Sequence, residues 1–265
     1  MDETTIRLTA FFGIFAAMAV WEAASPRRAR NMARADRWLT NWGISVVNSV
    51  VSALMKAALG AAAVLAAMDA ATQGVGLFHA LDWPFWVEVL AVFLVLDFAI
   101  WFQHFASHKI PVLWRLHRVH HADRDMDVTT AIRFHPIEIA LSMFFKIALV
   151  YALGAPVVAV ILFEVVLNGS AMFNHANIRL PRGVDRWLRV VFVTPDMHRV
   201  HHSVHQAEHD SNYGFNLAIW DRLFGTYTAQ PGDGHHGMTI GLAEHQDRAP
   251  TRFGWSLVFP FRSNG

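Results

Sequence analysis

Apolar residues run in long stretches along this chain instead of alternating with polar ones. Four stretches stand out, at 8–24, 43–68, 84–103 and 137–170. Each of the first three has roughly the ~20 residues that cross a ~30 Å hydrocarbon core. The fourth is too long for one crossing. It is interrupted at Gly154-Ala155-Pro156, and proline removes a helix-interior hydrogen bond. This predicts two helices, 137–153 and 156–172, folded back as a hairpin. Lys56, Glu88, Asp97, Lys146 and Glu164 fall inside apolar stretches, where isolated charge is costly and often functional. Lys56 and Lys146 either snorkel or face a partner helix. Trp21, Trp38, Trp42, Trp83, Trp86 and Trp187 lie near segment ends, as an interfacial aromatic belt requires.

The placement of Lys and Arg adds orientation. Arg27, Arg28, Arg30, Arg34 and Arg37 crowd the first loop, 69–83 has no Lys or Arg, and Lys109, Arg115, Arg118, Arg124 and Arg133 fill the next. By the positive-inside rule, the first and third of these loops are cytoplasmic and the N-terminus is outside. The Arg-rich segment 175–265 then needs an even number of crossings after 136, which the hairpin supplies. The leading MDETTIR is acidic and the basic run follows the first apolar stretch, an order that predicts a retained helix and not a cleaved signal peptide. The expected fold is an all-α integral membrane protein. It has about three transmembrane helices plus a helical hairpin, with a histidine-rich helical cap in the cytosol.

Composition agrees. Charged residues make up 16% of the 265 positions, against about 25% in a soluble domain. A net charge of +1 gives no support for a nucleic-acid partner. With no cysteine, disulfides, thiolate-bound zinc, iron–sulfur clusters and a thiolate nucleophile are excluded. Histidine, at 16 residues, is the abundant ligand type.

Ten of those 16 histidines lie in three runs or just beside them, all on the expected cytoplasmic side. The runs are His104-F-A-S-His108, His117-R-V-His120-His121 and His198-R-V-His201-His202. Residues three or four apart share a helix face, so each run presents two or three ring nitrogens together. Imidazole suits Fe, Zn, Cu and Ni. Eight histidines exceed the three or so protein ligands of a catalytic zinc and fit two ions with about four histidines each. His175 stands alone in Asn174-His175-Ala176-Asn177, and His135 precedes Pro136. His205 and His209 are either ligands or supporting groups. His79, His235, His236 and His245 are expected at the surface. Metal-bound histidine usually donates its other ring N–H to a carboxylate or carbonyl. Asp97, on the helical face of His104 and His108, is expected in that role, with Asp196, Glu138 and Asn174 as weaker candidates. Trp101, Phe102, Phe105, Phe134 and Phe173 could line a tunnel for an apolar substrate.

These boxes, H-x-x-x-H followed by two H-x-x-H-H, resemble the fatty acid hydroxylase/sterol desaturase superfamily of membrane di-iron enzymes. The resemblance runs from about Phe98 to Tyr227 and includes the phrases 127–138, 174–177, 194–203 and 212–227. It implies that His104, His108, His117, His120, His121, His198, His201 and His202 bind metal, and that His175 completes the coordination. It further implies two Fe ions, O2 as co-substrate, and hydroxylation or desaturation of a lipid such as a fatty acyl chain, sterol or ether lipid. The short first box disfavours the acyl desaturases. The 265 residues hold no H-P-G-G motif of a fused cytochrome b5, so a separate electron donor of cytochrome b5, ferredoxin or reductase type is expected. The corresponding division is 1–95 for N-terminal transmembrane helices, 96–230 for the catalytic region and 231–265 for a tail. Two other readings are a membrane metal transporter or metal-binding protein and a zinc-dependent membrane hydrolase. Transport ligands belong near the bilayer midplane in broken helices. A hydrolase needs a carboxylate base beside a metal box, as in H-E-x-x-H, and neither H-x-x-H-H run has one.

Overall fold

A computed structural model describes residues 3–60 and 62–262, which form helices without any β-strand among them. The long elements are α1 (Glu3–Ala24), α2 (Arg34–Leu59), α3 (Ala63–Gln73), α4 (Phe85–Lys109), α5 (Pro111–His121), α6 (Pro136–Leu153) and α7 (Val157–His175). Short helices follow, among them α8 (Arg182–Leu188), α9 (Pro195–His201), α10 (Gln206–His209) and α11 (Ile219–Leu223). Five helical stretches are long and apolar enough to cross a membrane: Glu3–Ala24, an interrupted Arg34–His79, Phe85–Lys109, Pro136–Leu153 and Val157–His175.

Proline and glycine set most of the boundaries. Pro111, Pro136 and Pro195 occupy the first turns of α5, α6 and α9, where the missing N–H has no helical partner in any case. The hairpin expected at 154–156 is present, with Gly154 closing α6 at φ 63°. Gly76, at φ 113°, packs so closely there that a Cβ would sit 2.1 Å from Gly154 N. The apolar stretch 43–68, expected as one crossing, instead divides. Gly60 ends α2 at φ 60° and its N–H caps Lys56 and Met55 carbonyls, which only a residue at ease in the left-handed region does without strain.

The apolar core lies between α3, α4, α6 and α7, around Val92, Leu96, Val150, Val160 and Phe163. A second cluster joins Phe11, Ile14 and Phe15 of α1 to Ala171 and Met172 of α7. Trp38 and Trp42 belong to this packing, edge-on to Phe15 at 5.8 and 5.1 Å, whereas Trp86 and Trp187 are exposed as a belt requires. Of the intramembrane charges, Lys146 faces a partner helix. Its Nζ lies 2.6 Å from Glu164 of α7, which also pairs with Arg7 of α1 at 2.7 Å.

Polar buried groups fasten the loop after α5. Arg37 of α2 places Nε and Nη2 on Asp123 at 2.6 and 2.8 Å and Nη1 on Asp127 at 2.6 Å. Arg133 donates to Val119 O, Asn41 Oδ1, Pro250 O and Ser256 Oγ at 2.8–2.9 Å. Glu22 accepts the backbone N–H groups of Val128 and Asn177, holding the segments after α5 and α7 side by side.

Candidate metal centre

Four elements deliver the histidines. The last turns of α4 carry His104 and His108, and the chain turns at Ile110-Pro111 so that His117 and His121 of α5 face them while His120 turns toward His175 and His202. His175 ends α7. α9 brings His198 and His201, with His202 next in the chain. Its first turn is capped by Thr194, whose hydroxyl accepts from Met197 N at 3.3 Å.

The nine histidines separate into two groups. His104, His108, His117, His121 and His201 form one, and His120, His175, His198 and His202 the other; within each, one nitrogen from every ring lies within 4.8 Å of those of the others. All nine side chains are shut away from solvent, His108 included. Asp97, also placed in the site from sequence, is elsewhere. It lies about 10 Å along the helix axis from His104 by the rise per residue, and its Oδ2 accepts from Trp220 Nε1 at 2.7 Å. The carboxylate that does meet a ring is Glu138, which accepts from His117 Nδ1 at 2.7 Å. Asn174 donates to Phe215 O at 2.6 Å and meets no histidine. Asp196 pairs with Arg27 and Arg199.

Hydrogen bonds fix the tautomers of several rings. Nδ1 donates to a carbonyl from His104 (Tyr213, 2.7 Å), His175 (Ala171, 2.6 Å) and His201 (Ser211, 2.7 Å). His108 Nδ1 donates to Asp210 Oδ1 at 3.3 Å. Each such ring, when neutral, keeps its lone pair on Nε2. His104 and His117 both have Nδ1 committed in this way, yet their Nε2 atoms are 3.1 Å apart. Two neutral rings in that geometry point lone pair at lone pair, which is repulsive unless a cation accepts both.

That observation fits a bound metal. Imidazole nitrogens sit about 2.1 Å from a divalent ion, so adjacent ligands at right angles stand about 3.0 Å apart. His175 Nε2 lies 3.1 Å from His120 Nε2 and 3.0 Å from His198 Nε2. His108 Nε2, His201 Nε2 and both nitrogens of His121 and His202 are buried without a hydrogen-bond partner. Buried polar atoms of this kind are rare unless something absent from the protein atoms satisfies them. Burial, reinforced by neighbouring imidazoles, holds His120, His121, His198, His201 and His202 well below the usual histidine range. They are neutral at pH 7 and able to coordinate. The all-nitrogen donor set suits iron among other first-row ions.

The other histidines stand outside both groups. His135 caps α6 by accepting from Ile137 N at 3.2 Å. His205 is exposed beside Asp233, and His209 stacks on Trp114. His79 and His236 are exposed as expected and His245 is half-buried against Trp255 and Phe259. His235, expected at the surface, is buried 3.5 Å from Asp196, because Arg28 anchors its segment through the carbonyls of His235 and Met238.

A cavity of about 460 Å³ between α1, α2, α4, α6 and α7 reaches the five-histidine group at His104, His117 and Glu138. Of the aromatic residues expected along a tunnel, Phe134 lines it, together with Phe11 and Phe215. Trp101 and Phe105 instead stack on one another at 5.7 Å beside Phe224, and Phe102 is half-exposed on the outer side of α4. Much of the wall is hydroxyl or amide, including Asn48, Ser52, Gln103 and Ser142, and Lys146, eight residues beyond Glu138 in α6, and Arg7 also line it.

The fold and site together describe an all-helical protein with two buried groups of histidines, the larger of which opens on a cavity between apolar helices. A fatty acid hydroxylase family model matches residues 89–226, just over half of the chain, and the chain belongs to that family. It is 35% identical over 154 residues to "Ornithine lipid hydroxylase OlsE" of Rhizobium tropici, an alignment covering 57% of this chain and 44% of that one. It is 31% identical over 158 residues to "Alkylglycerol monooxygenase" of Xenopus tropicalis, covering 59% and 33% respectively. A "Cholesterol 25-hydroxylase-like protein" of Danio rerio is 28% identical over 141 residues, 52% of this chain and 55% of its own length. The chain thus spans less than half the length of the first two relatives. No solved structure matches.

Proposed function

We propose that this protein is a membrane lipid monooxygenase that holds two irons in its paired histidine groups and uses O2 and an external electron donor to hydroxylate a lipid. The observation that carries this reading is the facing pair of His104 and His117 Nε2 atoms at 3.1 Å, buried at the head of the cavity. The alternatives fit less well. A transport pathway needs ligands that exchange with water, and these are sealed. A hydrolytic zinc site has no use for nine imidazoles. The names of the relatives, a lipid hydroxylase and an alkylglycerol monooxygenase, support oxygenation of a lipid.

When bound, the irons supply the O2-derived oxidant that an unactivated C–H bond demands. The protein's part is positioning and exclusion. His104, His108, His117, His121 and His201 hold one ion, and His120, His175, His198 and His202 the other. Glu138 keeps the proton on His117 Nδ1 and so directs Nε2 at the ion. The cavity presents the lipid at His104 and His117 while its walls keep bulk water away. In this reading, 1–95 supplies the N-terminal transmembrane helices, 96–230 the catalytic region and 231–265 a C-terminal tail. We read three crossings plus the hairpin, with the histidine cap on the cytoplasmic side, a reading that the arginines at 27–37 support.

The test is metal analysis of purified protein together with O2-dependent conversion of a membrane lipid extract. A pair of irons per chain and a hydroxylated product are expected. One tightly held zinc and no O2 consumption would refute the proposal.

A further inference from the structure

We infer that Trp114 and His209 form the relay through which electrons enter the five-histidine group. The inference rests on the monooxygenase reading and adds the route of reduction. Placing one atom of O2 into a C–H bond and releasing the other as water consumes two electrons and two protons. Both electrons come from outside the chain. A hydride carrier must touch its acceptor, and the nine histidine side chains are closed to solvent. Single electrons can tunnel through packed atoms, at a rate that falls steeply with the gap. The donor is therefore a one-electron carrier protein, and it docks where the wall over the histidines is thin and bridged by a conjugated ring.

Trp114 provides that bridge. Its ring centroid lies 4.8 Å from His108, 5.4 Å from His121 and 6.3 Å from His117, three of the five rings in one group. On its other side it stacks on His209, 5.4 Å away with an interplanar angle of 22°. His209 in turn lies 5.9 Å from His108 and 6.1 Å from His121, and its Nδ1 donates to Ser203 O at 3.2 Å, which fixes the ring. Both side chains are half-buried, in contact with the histidine rings yet partly open to solvent.

Tyr213 makes the contrast. It also touches His104, His108 and His201, but it is fully buried and offers no exit. Among the described residues, Trp114 and His209 are the two rings outside the nine that lie against both His108 and His121. The cavity lines neither of them; it meets the group at His104 and His117. Lipid and electrons therefore approach the same group from different sides.

The experiment is stopped-flow reduction of the iron-loaded protein by a one-electron carrier protein such as a ferredoxin, read by absorbance, for wild type, Trp114→Leu and Trp114→Phe. Trp114→Leu is expected to slow reduction about tenfold or more, and Trp114→Phe to recover much of it. Product formed in a single turnover by chemically pre-reduced Trp114→Leu stays at the wild-type level, since that assay bypasses the relay. Should Trp114→Leu lose its metal, His209→Leu asks the same question from the second ring, with slowed reduction again expected. Wild-type reduction rates in the variants that keep their metal would overturn the relay. Absence of product from pre-reduced wild type would overturn the monooxygenase reading itself, independently of the relay.

Discussion

Glu138 and His117 are joined by a 2.7 Å hydrogen bond from the ring Nδ1 to the carboxylate Oε1. Glu138 stands in the first turn of α6, fixed there by Pro136 at the start of the helix. The bond orients the one ring of the five-histidine group that is both opposed to His104 and open to the cavity. Glu138→Gln can still accept from Nδ1 through its amide oxygen, whereas Glu138→Ala cannot. Loss of such a supporting carboxylate typically costs 10–100-fold in metal affinity or activity. The expected order of metal retention under a graded chelator challenge is therefore wild type, then Glu138→Gln, then Glu138→Ala. An alanine variant that holds metal as tightly as wild type would show that Glu138 does not orient the ligand.

The Arg37 cluster invites a stability measurement. Arg37, Asp123 and Asp127 are all essentially inaccessible, and Asn41 adds a 3.1 Å bond to Asp123. Removing one partner of a buried pair leaves an uncompensated charge and costs about 3–5 kcal/mol. Arg37→Ala strands two carboxylates at once, one of them, Asp123, two residues from His121. A large fall in thermal midpoint in detergent is expected, accompanied by loss of metal. Arg37→Lys recovers only part, because a single ammonium cannot reproduce the fork that spans Asp123 and Asp127.

The histidine clusters were the most legible part of this sequence, and the reason is periodicity. H-x-x-x-H and H-x-x-H-H put rings on one helix face whatever the tertiary arrangement, and all nine expected histidines fall in the two groups. What periodicity cannot supply is distance along an axis or contact between elements remote in sequence. Asp97 shares a face with His104 yet lies two helical turns away, while Glu138 reaches His117 only because α6 begins beside α5. The hairpin was legible because proline and glycine punctuate it. The break at Gly60 was not, since one glycine in an apolar run carries little signal. His235 misled because its segment is Gly-rich and polar; its burial comes from Arg28, some two hundred positions earlier in the chain.

His235 also gives a pH prediction. Burial is the main cause that lowers its pKa from the ordinary 6.5 to about 4, partly opposed by Asp196. The folded state holds the ring neutral where the unfolded chain already binds a proton, so stability falls as pH drops through 6.5 and the loss is complete near 4. His235→Gln removes this titration. The variant is expected to show a flatter thermal midpoint between pH 6.5 and 4.5 than wild type. Parallel profiles would mean that the buried neutral ring is not what titrates there.

Ser142 tests the cavity as the lipid's site. It lies one helical turn beyond Glu138 on the same face of α6, lines the cavity and donates to Gln103 Oε1 at 3.1 Å. A phenylalanine there projects into open volume just below His117 and occupies the space a substrate needs to reach the group. Overpacking a filled core costs about 1–3 kcal/mol, but a cavity of about 460 Å³ can accept the added ring without that strain. Ser142→Phe should therefore keep its iron content and thermal midpoint close to wild type while kcat/KM for the lipid falls about tenfold or more. Ser142→Ala loses only a hydroxyl and should change little in kcat/KM. If Ser142→Phe turns over lipid at the wild-type rate with its iron intact, the substrate reaches the histidines by another path.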